Sequence, residues 1–192
     1  MKYGFDVDGV LYDFGASLRE WVYLTTGRPL SSMEDPQTWD FWKDQWGLTL
    51  EEFRSHCDNA VDAEHLFRKG DPEPGTREQI ERLVKDGHSV AFITARNFGT
   101  KSEENTVAWL HEHGYPYDEI HFTSDKHNVD FDWLVDDLAD NYFAVAATGH
   151  QGVFLLTRPW NEHVSGVRRV SSVKDFVDTT YSLSSFRRRV DV

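Results

Sequence analysis

Four groups of polar residues along this chain each follow a short apolar segment. They are Asp6 with Asp8, Thr94, Lys126, and Asp136 with Asp137. In a parallel α/β sheet, ligands bind just beyond the carboxyl ends of the strands, so we expect these side chains to meet at one edge. Clustered carboxylates are costly unless a cation lies among them, and a hard divalent cation takes oxygen ligands. The residue types therefore predict a magnesium site that can also bind a phosphate group.

The residues of this predicted site can divide the chemistry of phosphoryl transfer among themselves. With Mg²⁺ held by Asp6, Asp136 and the backbone carbonyl of Asp8, the Asp6 carboxylate stays ionised and can attack phosphorus. Asp8 can protonate the leaving oxygen and later activate the hydrolytic water. Thr94 and Lys126 can bind the phosphoryl oxygens, where negative charge must be stabilised.

Each of these residues also has an ordinary structural interpretation. Acid pairs often solvate turns, Thr94 could cap a helix or a loop, and Lys126 could be a surface lysine. Their order along the chain and their common position at strand ends favour the site over these separate explanations. Gly9, which has no Cβ, would let the chain turn tightly beside the phosphate.

Apolar periodicity predicts the elements that must position these residues. The predicted strands cover about 2–7, 88–94, 119–122, 133–135 and 153–156, and the predicted helices cover about 75–87, 102–113 and 138–147. Strands and helices alternate in this part of the chain. That alternation predicts an α/β fold, a Rossmann-like parallel sheet with helices on both faces.

The segment 15–69 interrupts the alternation, because it shows helical periodicity without a convincing strand and leads into a turn-rich stretch. We therefore predict a helical cap at 15–69, inserted after the first strand, and a catalytic core formed by 1–14 and 70–192.

Three tryptophans in the predicted cap, Trp39, Trp42 and Trp46, are spaced as on one face of a helix. Such a face could be a stacking wall for a substrate or the small core that any helical insertion needs. For Trp39 and Trp46 the core is the favoured interpretation.

Composition and charge disfavour several classes of function. Thirty-three acidic against twenty basic residues give a formal net charge of −13, which disfavours binding to a nucleic acid polymer. The short basic cluster at 187–189 is interpreted as solvated. No apolar stretch reaches the roughly 20 residues that span a bilayer. Cys57 is the only cysteine, and the N-terminus leads directly into the first strand, so we expect a cytoplasmic protein. The sequence predicts no oligomeric state.

The four groups resemble the motifs of the haloacid dehalogenase superfamily of phosphohydrolases. They occur in order as Asp6-Val7-Asp8-Gly9-Val10, Phe92-Ile93-Thr94, Thr123-Ser124-Asp125-Lys126 and Leu134-Val135-Asp136-Asp137. In that superfamily the first aspartate becomes phosphorylated and the second is the acid/base. The resemblance implies these roles for Asp6 and Asp8, and it implies that Asp136 binds Mg²⁺ with Asp137 beside it, directly or through water.

Within the superfamily the chain is similar to the 5'(3')-deoxyribonucleotidases. The similar segments are 6–14, 41–42, 73–75, 108–109, 125–126 and 136–137. In this family a helical cap lies between the first two motifs and its aromatic residues hold the nucleobase, which implies that role for Phe14, Phe41 and Trp42.

The chain departs from this family directly after the motif threonine, where Ala95 and Arg96 replace the usual Ser-Pro. We expect both residues to line the substrate phosphate. Ala95 cannot offer a side-chain hydrogen bond, and Arg96 could supply positive charge.

These observations together predict a Mg²⁺-dependent phosphomonoesterase that forms an aspartyl-phosphate, most specifically a 5'(3')-deoxyribonucleotidase acting on nucleoside monophosphates. One alternative keeps the chemistry with another small phosphomonoester or a polynucleotide 3'-phosphate as substrate. A different class is a phospho-acceptor signalling domain, which the Asp-x-Asp-Gly spacing and the long insertion disfavour. A catalytically silent scaffold is the third class, and the retention of every motif acid disfavours it.

Overall fold

A computed structural model describes residues 1–190, with the side chains of 1–185, so the basic side chains at 187–189 lie outside the described part. The strands are β1 (Lys2–Phe5), β2 (Ser89–Thr94), β3 (Glu119–Phe122), β4 (Trp133–Asp136), β5 (Val153–Leu156) and β6 (Arg169–Val170). The helices are α1 (Phe14–Thr26), α2 (Phe41–Asp44), α3 (Leu50–Asp62), α4 (Thr76–Lys85), α5 (Ser102–Glu112), α6 (Ala139–Ala147) and α7 (Val173–Val190).

The six strands form one parallel sheet in the order β3-β2-β1-β4-β5-β6. The first strand is central, with Tyr3 opposite Val90 on one side and opposite Trp133 on the other. Because all strands run the same way, the segments that follow β1, β2 and β4 lie side by side at one edge. The predicted Rossmann-like α/β fold is confirmed.

Helices cover both faces of the sheet because the strand residues alternate between two apolar clusters. Phe5 and Phe92 belong to one cluster, together with Phe176 of α7. Ile93 belongs to the other, together with Tyr142 of α6. All residues of β2 after Ser89 are buried, as its near-continuous apolar character leads one to expect for a parallel strand covered on both faces. Within residues 1–190, none of the helices is both long and apolar enough to cross a membrane.

The described residues of the predicted cap segment form α1, α2 and α3 and contain no strand. The N-terminal end of α1 is fixed by Asp13, whose side chain accepts a hydrogen bond from the backbone N–H of Ala16 at 2.9 Å. Thr49 and Glu52 form a capping box at the start of α3.

Contacts at the end of α3 join this segment to the loop between β2 and α5. Asp58 accepts from the Gly99 N–H at 2.8 Å, and Asp62 accepts from the Thr100 N–H at 2.6 Å. The apolar cluster that contains Phe5 also continues without a break into this segment. The three helices are therefore packed against the rest of the molecule.

The predicted tryptophan face is only partly present. Trp46 is buried, which confirms its place in the core, and its indole N–H donates to the carbonyl of Glu34 at 2.8 Å. Trp39 is 54% exposed, so its predicted place in the core is wrong. The physical reason is that α2 begins only at Phe41 and has four residues, so the three tryptophans do not share one helical face.

Candidate active site

Three carboxylates converge at the edge where β1 and β4 end. Asp6 follows β1, Asp136 is the last residue of β4, and Asp137 comes next; all three are buried. Each offers an oxygen, and these oxygens lie within 4.8 Å of one another. The pKa of Asp6 is raised to about 7, chiefly by burial; the charge of Lys126 lowers it, and the charge of Asp136 raises it. Burial and the charge of Asp6 likewise raise the pKa of Asp137.

Lys126 is the cation that lies directly against these acids. Its ammonium group lies 2.8 Å from Asp6 Oδ1 and 2.7 Å from Asp136 Oδ2, and the side chain is 2% exposed. Burial alone would lower the pKa of Lys126, but the two carboxylates raise it above its usual value. Lys126 is therefore held charged between two acids that come from different strands.

The composition of this cluster fits a divalent cation. If all three carboxylates were ionised, they would outnumber the single ammonium group by two negative charges in a buried setting, and a cation bound there would compensate them. Oxygen ligands suit Mg²⁺, which commonly takes one or two carboxylates and keeps several waters. The carboxylates of Asp6, Asp136 and Asp137 would hold the ion.

The Asp136 carboxylate is further oriented by two donors that sequence reasoning missed. The Leu138 N–H donates to Oδ1 at 2.8 Å, and Asn141 Nδ2 lies 3.2 and 3.1 Å from the two oxygens. Asn141 lies in the first turn of α6. The helix predicted at about 138–147 already placed Asn141 close to the Asp136-Asp137 pair, and this was the signal that could have identified it.

Asp8 lies outside the acid cluster with its side chain 28% exposed. Its two oxygens accept hydrogen bonds from Nε and Nη2 of Arg96, both at 2.9 Å. The structure thus brings together Asp8 and Arg96, two residues that the sequence had placed in different roles.

The Thr94 hydroxyl is buried, and Oγ1 has no hydrogen-bond partner among the described residues. An unpaired buried hydroxyl is unfavourable unless a ligand completes it. Thr94 ends β2, next to the end of β1. Ala95 follows with its side chain exposed.

The turn after β5 supports the site from one side. Arg158 Nε donates to the Gly9 carbonyl at 2.6 Å, and Trp160 Nε1 donates to Asp137 Oδ2 at 3.1 Å. Asn161 Nδ2 donates to the Asp137 carbonyl at 2.7 Å. Gly9 has φ +71°, and a Cβ there would overlap the Asp137 carboxylate. The sequence offers one signal for the role of this turn, its place directly after the predicted strand at 153–156.

The aromatic residues predicted to hold a base lie together in one aromatic cluster. Phe41 is nearly buried, whereas Phe14 and Trp42 are half-buried. Trp42 stacks on Phe53 with ring centroids 5.0 Å apart. Phe98, from the loop after β2, packs on Phe53 at 5.9 Å. The cluster therefore spans the predicted cap and the strand-end loop that carries Arg96.

Comparison with known families decides the assignment. The family described as 5' nucleotidase, deoxy (pyrimidine), cytosolic type C protein matches residues 1–183. The chain belongs to this family. A protein of Chlorobaculum tepidum with the provisional name 5'(3')-deoxyribonucleotidase is 29% identical over 175 residues, which cover 88% of this chain and 84% of the relative.

Solved structures share the fold. A haloacid dehalogenase superfamily hydrolase from Geobacter sulfurreducens matches with TM-score 0.57 and 14% identity, over 93% of this chain and 95% of that one. The D,D-heptose 1,7-bisphosphate phosphatase from B. bronchiseptica, solved with magnesium and phosphate, matches with TM-score 0.52 and 15% identity, over 95% and 99%. This nucleotidase-family chain is accordingly a phosphoric monoester hydrolase of the haloacid dehalogenase superfamily.

Proposed function

We propose that this hydrolase releases phosphate from nucleoside monophosphates, as a 5'(3')-deoxyribonucleotidase, in a Mg²⁺-dependent reaction that passes through an aspartyl-phosphate on Asp6. The observation that carries the proposal is the buried cluster in which Lys126 bridges Asp6 and Asp136. Family membership and the name of the C. tepidum relative support the nucleotide substrate. The magnesium and phosphate bound in the heptose bisphosphatase structure support the proposal that Mg²⁺ is the cofactor here.

In the proposed first step, an oxygen of Asp6 forms a bond to phosphorus as the ester P–O bond breaks. Asp8 gives its proton to the leaving oxygen of the substrate. In the second step Asp8 takes a proton from water, whose oxygen bonds to phosphorus while the Asp6–phosphorus bond breaks. Phosphate then leaves, and both aspartates return to their starting states.

The other residues of the site orient the phosphoryl group and balance its charge. Lys126 and the free hydroxyl of Thr94 would bind phosphoryl oxygens, on which negative charge must be stabilised. When bound, Mg²⁺ would supply further positive charge at these oxygens and keep Asp6 ionised. The tight turn at Gly9 would let the backbone approach the phosphate.

Base recognition is proposed for the aromatic cluster. Phe14 and Trp42 keep part of their surface accessible, so each can offer a ring to a base. Phe41 is 8% exposed and packs edge-on against Phe14 with ring centroids 6.5 Å apart, so we propose that Phe41 supports the ring of Phe14.

A cytoplasmic location is also proposed, and the single, buried thiol of Cys57 fits a reducing compartment.

The proposal is tested by measuring phosphate release from a panel of monoesters with added Mg²⁺ and with EDTA. The panel contains ribo- and deoxyribonucleoside 5'- and 3'-monophosphates, sugar phosphates and an oligonucleotide with a 3'-phosphate. We expect Mg²⁺-dependent turnover that is fastest with deoxyribonucleoside monophosphates. Faster turnover of sugar phosphates or of the oligonucleotide than of every mononucleotide contradicts the substrate assignment, and undiminished turnover in EDTA contradicts the metal requirement.

A further inference from the structure

Arg96 is held in a fixed place before any substrate contact is considered. Its side chain is fully buried, and the guanidinium lies 4.2 Å from the ring centroid of Phe67 and 4.7 Å from that of Tyr12. Nη1 donates to Thr106 Oγ1 at 3.0 Å. The guanidinium is thus packed between two rings and anchored to α5, so its orientation is strongly restricted.

The opposite edge of the same guanidinium meets Asp8. Nε and Nη2 donate to separate oxygens of the carboxylate, each at 2.9 Å, in the parallel two-bond geometry that fixes a carboxylate in plane as well as in distance. Since the Asp8 side chain is partly exposed, solvent alone would leave it free to rotate. Arg96 therefore sets the direction of the Asp8 oxygens.

We infer that Arg96 is a positioning residue that takes part in turnover by holding the Asp8 carboxylate, and that it does not bind the substrate phosphate. The inference rests on the proposed acid/base role of Asp8. That role requires one carboxylate to meet the leaving oxygen and later the water, and a misplacement of about 1 Å can cost about 100-fold in rate. On this inference, Arg96, the second residue after Thr94, orients the acid/base Asp8 and does not contact the phosphate.

The test is a double-mutant cycle of Arg96→Lys and Asp8→Asn, with kcat and KM measured on a nucleoside monophosphate. Lysine keeps the charge but loses the two-bond fork, so we expect kcat to fall about 10- to 100-fold while KM changes little. Asp8→Asn alone should lower kcat by about 10²–10⁴-fold. In the Asp8→Asn background, Arg96→Lys should lower kcat by less than about 2-fold, because its partner is already lost.

The matched control is Arg82→Lys. Arg82 also pairs with an aspartate, Asp178 at 2.7 Å, and lies over an aromatic ring, that of Tyr181 at 4.7 Å, but both partners are outside the site. We expect its kcat and KM to match those of the unsubstituted protein. Equal kcat losses in Arg82→Lys and Arg96→Lys would overturn the inference, since they would show a general effect of such a replacement.

The remaining outcomes separate the inference from the proposed function. A raised KM with unchanged kcat in Arg96→Lys makes Arg96 a phosphate ligand and overturns the inference. Multiplicative losses in the cycle show that Arg96 acts independently of Asp8 and overturn it as well. If Asp8→Asn keeps full kcat, the acid/base assignment itself fails.

A second variant covers the case in which Arg96→Lys does not fold. Thr106→Val leaves Arg96 in place but removes the Nη1 acceptor, so the guanidinium is less well oriented. Because the two bonds from Arg96 to Asp8 remain, we expect a smaller kcat loss than in Arg96→Lys, about 3-fold, and we expect it to disappear in the Asp8→Asn background. Persistence of that loss in the double variant overturns the inference.

Discussion

The acid cluster and the aromatic cluster both include residues from the segments that follow the carboxyl ends of strands, but different forces hold them. In the acid cluster, Asp6, Asp136 and Lys126 are buried charges with directional contacts below 3 Å, so the removal of one charge leaves another unpaired. In the aromatic cluster, rings such as Phe14 and Phe53 meet at 6.4 Å with tilted planes, and such contacts tolerate many geometries. Buried charge without a full complement of counter-charge indicates a ligand, whereas packed rings are equally compatible with a core.

Asp6→Asn should have the largest effect on the acid side of this comparison. The amide cannot act as the nucleophile, so we expect phosphate release to fall by at least about 10³-fold while the melting transition stays cooperative. Steady-state release with Mg²⁺ and a thermal melt measure the two quantities. Asp140→Asn is the control, because Asp140 is an exposed acid in α6, the helix that directly follows Asp136 and Asp137. Substantial turnover by Asp6→Asn would remove the covalent step from the proposal.

The acid cluster was predictable because its chemistry and its topology give the same answer. Asp6, Thr94 and Asp136 lie at the ends of predicted strands, and these strands are neighbours in the sheet, β2-β1-β4. The strand at Glu119–Phe122 and the strand at Val153–Leu156 were predicted with the bounds that the structure has. A short apolar segment next to an acid indicated β1 and β4 and placed their carboxyl ends to within two residues.

Several parts that sequence reasoning missed depend on long-range contacts. The two-residue strand β6 was not predicted, and it exists through pairing with β5. Helix α7 was also not predicted, although its buried apolar residues do have helical spacing. Trp39 and Trp46 looked equivalent in spacing, but only tertiary packing separates the exposed ring from the buried one. The pairing of Asp8 with Arg96 joins positions 88 residues apart, and neither motif alone indicates it.

Lys126→Gln tests whether the acid cluster depends on its internal cation. Without metal, two buried carboxylates lose their partner, and we expect a loss of about 3–5 kcal/mol in the free energy of unfolding, measured by urea denaturation in EDTA. Added Mg²⁺ should restore part of this loss. Lys174→Gln is the matched control, since Lys174 is 67% exposed and pairs with Asp178 at 2.6 Å; it should change stability by less than about 0.5 kcal/mol. Equal stability of the two variants would mean that the cluster is solvated rather than buried.

Trp42→Ala examines the aromatic side, where core and substrate wall must be told apart. If the ring stacks on a base, binding should weaken by about 1–3 kcal/mol, seen as a higher KM for nucleotides. Turnover of a phosphomonoester without a base, such as deoxyribose 5-phosphate, should then be almost unchanged. The control is Trp39→Ala, which removes an exposed ring; it should change neither KM nor turnover with either substrate. Parallel losses with both substrates in Trp42→Ala would assign the ring to packing alone.

Trp160→Phe should have the smallest effect, because it keeps an aromatic ring and removes one hydrogen bond, the indole N–H to Asp137 Oδ2. The Asp137 backbone stays held by Asn161, so the carboxylate should lose orientation but not position. Groups that orient metal ligands typically contribute 10–100-fold in metal affinity, and we expect the lower end, about 10-fold weaker Mg²⁺ binding. Isothermal titration with Mg²⁺ alone measures this without substrate. Trp39→Phe should bind Mg²⁺ as the unsubstituted protein does. Unchanged affinity in Trp160→Phe would leave the turn after β5 as packing and would place Asp137 outside the metal site.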